Sequence, residues 1–329
     1  MAKIGIIGAG LSGLILGQCL RGQGHDCHIF EKSRGLGGRL SRRSTPWAEL
    51  DIGAPFLTPT HHVTQGFLDH FCDQDWLGKH LIHSLIFKRG KLQAGPDVLA
   101  YSAAGSNNQL CHQLLEGLSI HRQQQIHKIK YQQQHLRLYS ESVNQPAQAV
   151  DFDAAALTAP AAQSIALLPV TSPLRQQVLP QMRPNWTISL QFSAAVAIFE
   201  AVGLIDFVDH PQLRRMVDLS NLPQRNHQHC YQVSLTPTFC EEAKTSDDSA
   251  LIKDVLERLG QLIDLPAVKN SSVQRWNLAE HSLSEPIANI ADPEHRLVLA
   301  GDWTSGKNID GVLKSVGRAE RALLAMLAN

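Results

Sequence analysis

Three glycines, Gly8, Gly10 and Gly13, stand in the spacing G-x-G-x-x-G, and an acidic residue, Glu31, follows at the distance where a carboxylate can reach a ribose. These residue types handle phosphates and hydroxyls. Gly8 permits a tight turn out of a strand, Gly10 lets backbone approach a pyrophosphate, and Gly13 lets a new helix lie close to a sheet. A diphosphate would then rest on backbone N–H groups at Gly10, Leu11, Ser12 and Gly13, at the positive end of a helix dipole. Glu31, with Lys32 beside it, would meet the adenosine ribose. The motif indicates a dinucleotide but does not separate NAD from FAD.

Positioning these groups requires a strand, a helix and a second strand. Lys3 to Ile7 is a short apolar run suited to a buried parallel strand. Leu14, Leu16 and Leu20 give the helix its apolar positions, ending near Gly22 or Gly24, and Cys27 to Glu31 reads as the next strand. A second signature lies near the other end. The apolar run Arg296 to Ala300 breaks at Gly301-Asp302, and Asp310-Gly311-Val312 opens a helix whose other side carries Leu313, Val316, Leu323, Leu324 and Leu327. This places a carboxylate beside a helix N-terminus. Without the first motif, Gly301-Asp302 would be an ordinary turn.

With 329 residues and 43% hydrophobic content the chain can build two domain cores. Thirty basic and thirty acidic residues cancel, so no general attraction to nucleic acid or membrane surfaces is expected. No apolar run reaches the roughly 18 residues of a membrane helix, and no signal-peptide cleavage pattern precedes the first strand. The expected location is the cytoplasm. The six cysteines, Cys19, Cys27, Cys72, Cys111, Cys230 and Cys240, contain no C-x-x-C pair and read as small apolar groups. The sixteen histidines cluster only at His61-His62 and at His227 with His229. Neither cluster has a carboxylate or cysteine at familiar ligand spacing, so no metal is expected.

Between the two signatures, Trp47 to Thr58 brings an apolar segment into Gly53-Ala54-Pro55, small residues suited to backbone pressed against a flat ring. Gln65 to Leu77 has helical spacing, and Leu81 to Phe87 with Lys91 to Gln93 flank a Lys88-Arg89-Gly90 turn as a hairpin. Tyr101 to Asn108 reads as a polar loop and Leu110 to Leu118 as a helix. Gln125 to Tyr131 and His135 to Tyr139 alternate as a second hairpin through Gln132-Gln133-Gln134. Phe152 to Thr158 reads as a strand ended by Pro160, delivering a turn toward the nucleotide. Thr187 to Phe192, Leu204 to Val208, Tyr231 to Leu235 and Ser272 to Trp276 suit an antiparallel sheet. The stripe from Leu251 to Ile263 is a core-facing helix, with Ser246 and Asp247 available to cap it.

After Glu31 the sequence continues Arg34-Gly35-Leu36-Gly37-Gly38-Arg39. The pattern E-x-x-R-x-x-G-G-R resembles the extension of the FAD-binding amine oxidase superfamily. There the second glycine pair, here Gly37 and Gly38, and its arginine, here Arg39, contact the cofactor's phosphates. Arg42 and Arg43 read as surface charge. Together with LDIGAPFLT, Arg275-Trp276 and AGDW followed by DGV, the chain from residue 3 to about residue 325 resembles the renalase-like branch of that superfamily. The resemblance implies noncovalent FAD and an α/β fold. A doubly wound, Rossmann-like FAD domain (residues 1–60, 101–165 and 285–329) would carry a second, α+β substrate domain built on an antiparallel sheet (61–100 and 166–284) that roofs the flavin. Gly53 and Ala54 would lie on the cofactor. Gly301 and Asp302 would serve the ribityl or phosphate side, and Asp310, Gly311 and Val312 the electron-rich end of the ring.

Bacterial relatives of this branch oxidise isomeric dihydro forms of NAD(P), passing hydride to the flavin and electrons to oxygen, which gives hydrogen peroxide. The resemblance implies the same of this chain, with molecular oxygen as acceptor and a small organic molecule as substrate. The departures fall where substrate would sit. GAQYFT of the family reads Gly53-Ala54-Pro55-Phe56-Leu57-Thr58 here, and Arg-Trp-x-Tyr-Ala-Arg-Pro reads Arg275 to His281, with Glu280 replacing a basic residue. Hydride transfer depends on positioning more than on a general base, so Phe56, Trp276 and Trp303 are the candidate pocket walls, with core packing as the alternative for each. Two other functions share every FAD motif: a flavin amine oxidase or desaturase, and a non-catalytic FAD-binding protein.

Overall fold

The computed structural model describes residues 1–132, 135–142, 145–177, 180–225 and 227–328. The chain forms two units, one of Met1–Leu40, Leu110–Met182 and His281–Asn329, the other of Ser41–Gln109 and Arg183–Glu280. Relative to the expected division, residues 41–60 and 101–109 lie in the second unit, and 166–182 and 281–284 in the first. Side-chain bonds, strand pairing and burial explain the shift. Arg43 donates to the Ser272 hydroxyl, the Val273 carbonyl and Gln274, and Val98–Ser102 pairs with Gly78–Ile82. Leu168 and Leu174 are buried in the first unit, and Ser172 bonds to Asp292 there.

The first unit is α/β and Rossmann-like. Its six-stranded sheet runs Ala291–Asp292, Leu297–Leu299, Ala154–Leu157, Lys3–Ile7, Asp26–Glu31, Ser119–Arg122. All neighbours are parallel except the short antiparallel edge at Ala291–Asp292. From Lys3–Ile7 the chain winds first to one side and later to the other. The glycine turn therefore leaves the strand where the winding reverses, the place where open α/β sheets bind ligands. The helices Leu11–Gly22 and Asn308–Leu327 pack together against this sheet, burying Leu14, Leu16, Leu20 and Leu323 completely.

The other face is covered by an antiparallel sheet of Gln125–Gln132, His135–Ser142 and Gln145–Phe152. It lies so close that a Cβ on Gly5 would come within 2.6 Å of the Leu138 side chain. The expected hairpin thus gains a third strand, which claims Phe152, and the following strand begins at Ala154. Gln133 and Gln134 of its expected turn lie outside the described residues.

The second unit holds a seven-stranded sheet in the order Val268–His281, Met182–Phe192, Cys230–Leu235, Leu213–Asp218, Leu204–Phe207, Ser84–Lys88, Lys91–Ala94. From Met182–Phe192 to Leu204–Phe207 the pairs are antiparallel, and Leu204–Phe207 meets Ser84–Lys88 in parallel. The strand Leu213–Asp218 lacks the alternation that would announce it. The expected hairpin turn has Arg89 and Gly90 at φ 52° and 75°, the left-handed pair of a two-residue hairpin loop. One sheet face, with Trp186, Ile188, Leu190, Met216 and Val233, packs under the helix Asp248–Gly260. Leu251, Val255 and Leu259 of that helix are at most 1% exposed, each contributing roughly 1.5–3 kcal/mol. The Asp247 carboxylate caps it by accepting from the Ala250 N–H at 2.8 Å.

Candidate functional site

The glycine turn is shaped partly by crowding and partly by open space. Gly8 has φ +115°, the left-handed region that favours glycine. A Cβ on Gly13 would lie 2.1 Å from the Gly8 carbonyl oxygen, so helix and strand can approach only through glycine. Gly10 differs from both. Its φ of −76° and ψ of 175° suit any residue, and a Cβ there would meet nothing within 4 Å. The Thr158 hydroxyl braces the turn from below, 3.0 Å from the Ile7 carbonyl and 2.9 Å from that of Gly8. Glu31 braces it from the side. One carboxylate oxygen accepts from the Ala9 N–H at 3.0 Å and the other from the Ser33 N–H at 2.8 Å. Each oxygen keeps a further lone pair with which to accept a sugar hydroxyl.

The second glycine pair closes onto the first turn. The Gly37 N–H donates to the Ala9 carbonyl at 2.8 Å, Gly10 and Gly37 form a parallel bridge, and Gly37 and Gly38 have φ of 95° and 54°. A Cβ on Gly38 would lie 3.5 Å from the Gly10 Cα. Arg39 then extends a fork to Asp302, Nη1 to Oδ2 at 2.8 Å and Nη2 to Oδ1 at 2.6 Å. The carboxylate is 4% exposed and the arginine side chain 43%. Two predicted cofactor ligands are thus bonded to each other, and a phosphate at Arg39 would share the guanidinium with Asp302. Lys32 is exposed and reaches toward Gln163.

Asp302 follows Gly301, whose φ is +131°. The turn is held by residues with no motif to announce them. The Gly301 N–H donates to the Ser315 hydroxyl at 2.7 Å, the Thr304 hydroxyl donates to Ser315 at 3.0 Å, and Arg318 donates to the carbonyls of Thr304 and Ile287. Gly311 packs so tightly that a Cβ would come within 2.4 Å of Gly306. Its N–H closes the first turn onto the Lys307 carbonyl at 2.9 Å. The N–H groups outside the helical ladder therefore precede Gly311, at the N-terminal edge of the expected Asp310-Gly311-Val312 stretch. Val312 is 7% exposed.

Trp303 also departs from expectation. It is 2% exposed, and its indole N–H donates to the Ala159 carbonyl at 3.1 Å, so it joins two strand ends of the first unit rather than walling a pocket.

In the second unit, residues 51–54 form a ribbon whose four carbonyls all accept from side chains. Gln232 donates to those of Asp51 and Gly53 at 2.6 and 3.0 Å. Thr187 and the Trp276 indole both donate to that of Ile52 at 2.7 Å, and Asn107 donates to that of Ala54 at 2.9 Å. Beneath it the Asp51 carboxylate accepts from the Asn107 N–H at 2.8 Å and from Arg225 at 2.6 Å. The Asp51 and Arg225 side chains are 2% and 1% exposed. Burial pushes the Asp51 carboxyl above its usual range despite the arginine. Gly53 and Ala54 are thus rigidly held within the second unit.

Phe56 is 6% exposed and packs with Ile82, Leu204, Val217 and Leu222, which makes it a core residue. Trp276 alone of the three predicted aromatics stays partly exposed. Glu280 accepts from Arg214 and Asn185, so its charge is compensated. A separate hollow of about 320 Å³, lined by His80, Ile82, Phe199, Asp218 and Leu222 among others, includes none of the predicted site residues.

All six cysteines are free, and burial pushes the thiols of Cys27, Cys111 and Cys230 up to about 12. Cys27, Cys111, Cys230 and Cys240 are buried, whereas Cys19 and Cys72 are partly exposed. Among the described residues no cluster of three or more His, Cys, Asp or Glu could hold a metal ion, and no helix is long and apolar enough to cross a membrane.

Residues 6–71 match the family model of the NAD(P)-binding Rossmann-like domain. A protein from Exiguobacterium sp. 255-15 assigned as a protoporphyrinogen oxidase is similar in structure at TM-score 0.78 and 12% identity, covering 100% of this chain and 99% of that one. Cyclohexylamine oxidase from Brevibacterium oxydans IH-35A gives 0.77 at 11% identity, with 100% of both chains covered. An oxidoreductase from Methanosarcina mazei gives 0.71 at 14% identity, covering 97% of this chain and 100% of that one. Over their whole lengths these three proteins share the fold of this chain.

Proposed function

We propose that the chain is an oxidoreductase with noncovalent FAD, accepting hydride from a small organic substrate. Gly10 carries this reading. Gly8 answers to a backbone angle and Gly13 to crowding, but Gly10 has an ordinary conformation and open space beside it, which suits a site kept clear for a diphosphate. The second glycine pair against it, Glu31 beside it and the Arg39–Asp302 fork extend the cradle in the manner of a longer dinucleotide.

FAD, when bound, supplies a two-electron acceptor for hydride. In this reading Glu31 accepts a ribose hydroxyl, and the N–H groups opening Leu11–Gly22 hold the diphosphate. Arg39 lends charge to it, Asp302 accepts a hydroxyl, and the N-terminus of Asn308–Leu327 stabilises negative charge that develops near it. Trp276, the partly exposed member of the three candidate aromatics, is held rigidly within the second unit by its bond to the Ile52 carbonyl.

The substrate we favour is an isomeric dihydro-NAD(P), with oxygen as acceptor and hydrogen peroxide as product. Glu280 does not oppose an anionic substrate, because Arg214 neutralises it. A primary amine is the second reading, supported by the fold shared with cyclohexylamine oxidase.

Anaerobic addition of an isomeric dihydro-NAD mixture, and separately of primary amines, to the purified yellow protein tests both readings. Bleaching by the first, with peroxide on admitting air, supports the dinucleotide substrate; bleaching by the second alone transfers the site to amines. A flavin that neither donor reduces would leave a cofactor-binding protein without this chemistry. Protein that neither carries nor takes up FAD would refute the cradle itself.

A further inference from the structure

A second cluster in the first unit has the connectivity of an activated hydroxyl. Thr171 Oγ1 lies 2.9 Å from His295 Nε2, and the opposite ring nitrogen, Nδ1, lies 2.8 Å from Asp292 Oδ2. The Ser172 hydroxyl donates to the same carboxylate oxygen at 2.5 Å, and the His295 backbone N–H donates to Oδ1 at 3.2 Å. Asp292 is fully buried, Ser172 and His295 are 1% and 8% exposed, and Thr171 is exposed.

The carboxylate fixes the imidazole in one orientation. As a pure acceptor it holds the proton on Nδ1, leaving Nε2 to accept from the threonine hydroxyl. A structural role accounts for part of this arrangement. Asp292 caps the turn between Ala291–Asp292 and Leu297–Leu299, and Ser172 ties the preceding loop to it. Neither task requires the second ring nitrogen to face an exposed hydroxyl. That pairing of nucleophile, base and buried orienting acid is the geometry of acyl transfer.

We propose that Thr171 is the nucleophile of a second site, separate from the nucleotide cradle, that takes acyl groups from activated esters. Thr171 Oγ bonds to the acyl carbon as its proton passes to His295 Nε2. The carbon–oxygen bond to the leaving alcohol then breaks, and that oxygen takes the proton from Nε2. The products are acyl-Thr171 and the free alcohol, with no change of oxidation state. Water, deprotonated by the same nitrogen, returns the free threonine and a carboxylic acid.

Full-length protein treated with p-nitrophenyl acetate tests the proposal by nitrophenolate release and by mass spectrometry of the peptide containing Thr171. Acetyl on Thr171 is expected, forming about 10²-fold faster than any release by Thr171→Ala, the scale of general base assistance. Thr171→Ser should keep the reaction, and folded His295→Gln should lose it although the hydroxyl remains. Because Thr171 is exposed, its alanine variant should fold even if the histidine variant does not. Nitrophenolate release unchanged in Thr171→Ala, or acetyl found only on other residues, would overturn the proposal.

Discussion

Arg39 and Asp302 lie 263 positions apart in the chain, yet they meet through two hydrogen bonds of 2.8 and 2.6 Å. The pair joins the second glycine motif to the turn before the last helix, the two stretches that a cofactor would need together. Asp302→Ala removes both charge-assisted hydrogen bonds of the fork and should cost about 1–3 kcal/mol. It should also reduce flavin retained after desalting. Thermal unfolding and the absorbance of bound flavin report the two effects, and full flavin retention would restrict the pair to a structural role.

Gly10 and Gly13 should respond differently to the same substitution. Gly13→Ala drives a Cβ onto the Gly8 carbonyl and should destabilise the protein by roughly 1–3 kcal/mol. Gly10→Ala meets no protein atom, so the apoprotein should keep its stability while FAD affinity falls. Denaturation of apoprotein beside FAD titration separates these outcomes, and unchanged affinity in Gly10→Ala would contradict the diphosphate placement.

The Asp51–Arg225 pair lies beneath the ribbon of residues 51–54. Removing one partner strands the other charge, so Arg225→Met should cost about 3–5 kcal/mol. The double variant Asp51→Leu with Arg225→Met should recover part of the loss, because no lone charge remains. Urea unfolding of the single and double variants gives the comparison. Equal losses would show that hydrogen bonds of the ribbon, rather than the stranded charge, dominate.

His227 is 7% exposed, and neither ring nitrogen has a hydrogen-bond partner among the described residues. Burial first and Arg225 second hold its pKa below the ordinary value. In the unfolded chain the same group titrates near about 6.5. Between the two values the unfolded state binds more protons, so its contribution to stability is complete above about pH 6.5 and declines as pH falls through that value. His227→Gln should flatten this decline. Urea midpoints measured from about pH 7.5 to 5.5 test it, and an identical decline in the variant would assign the effect to other groups, such as His80, which burial shifts the same way.

The glycine turn, its strands and helix, and the acid after them form within one short stretch, where each residue type answers a local demand. The helix Asp248–Gly260 and its Asp247 cap follow from the same kind of local rule. Residues such as Thr158, Ser315, Arg318 and Gln232 carry no such signal. Each is an isolated polar side chain, and only the partner brought from far along the chain shows what it holds.

Local spacing alone announced the glycine turn, the class of fold and the two stretches that the Arg39–Asp302 pair brings together, because hydrophobic periodicity and glycine spacing are properties of neighbouring residues. Tertiary structure decided which aromatics stay accessible and which charges compensate. Phe56 and Trp303 satisfy the same apolar pattern as Trp276, but packing buries the first two and leaves the third partly open. Glu280 reads as a repulsive charge until Arg214 and Asn185 are folded onto it. Burial and ion pairing belong to surfaces assembled from distant segments, so no local pattern of residues encodes them.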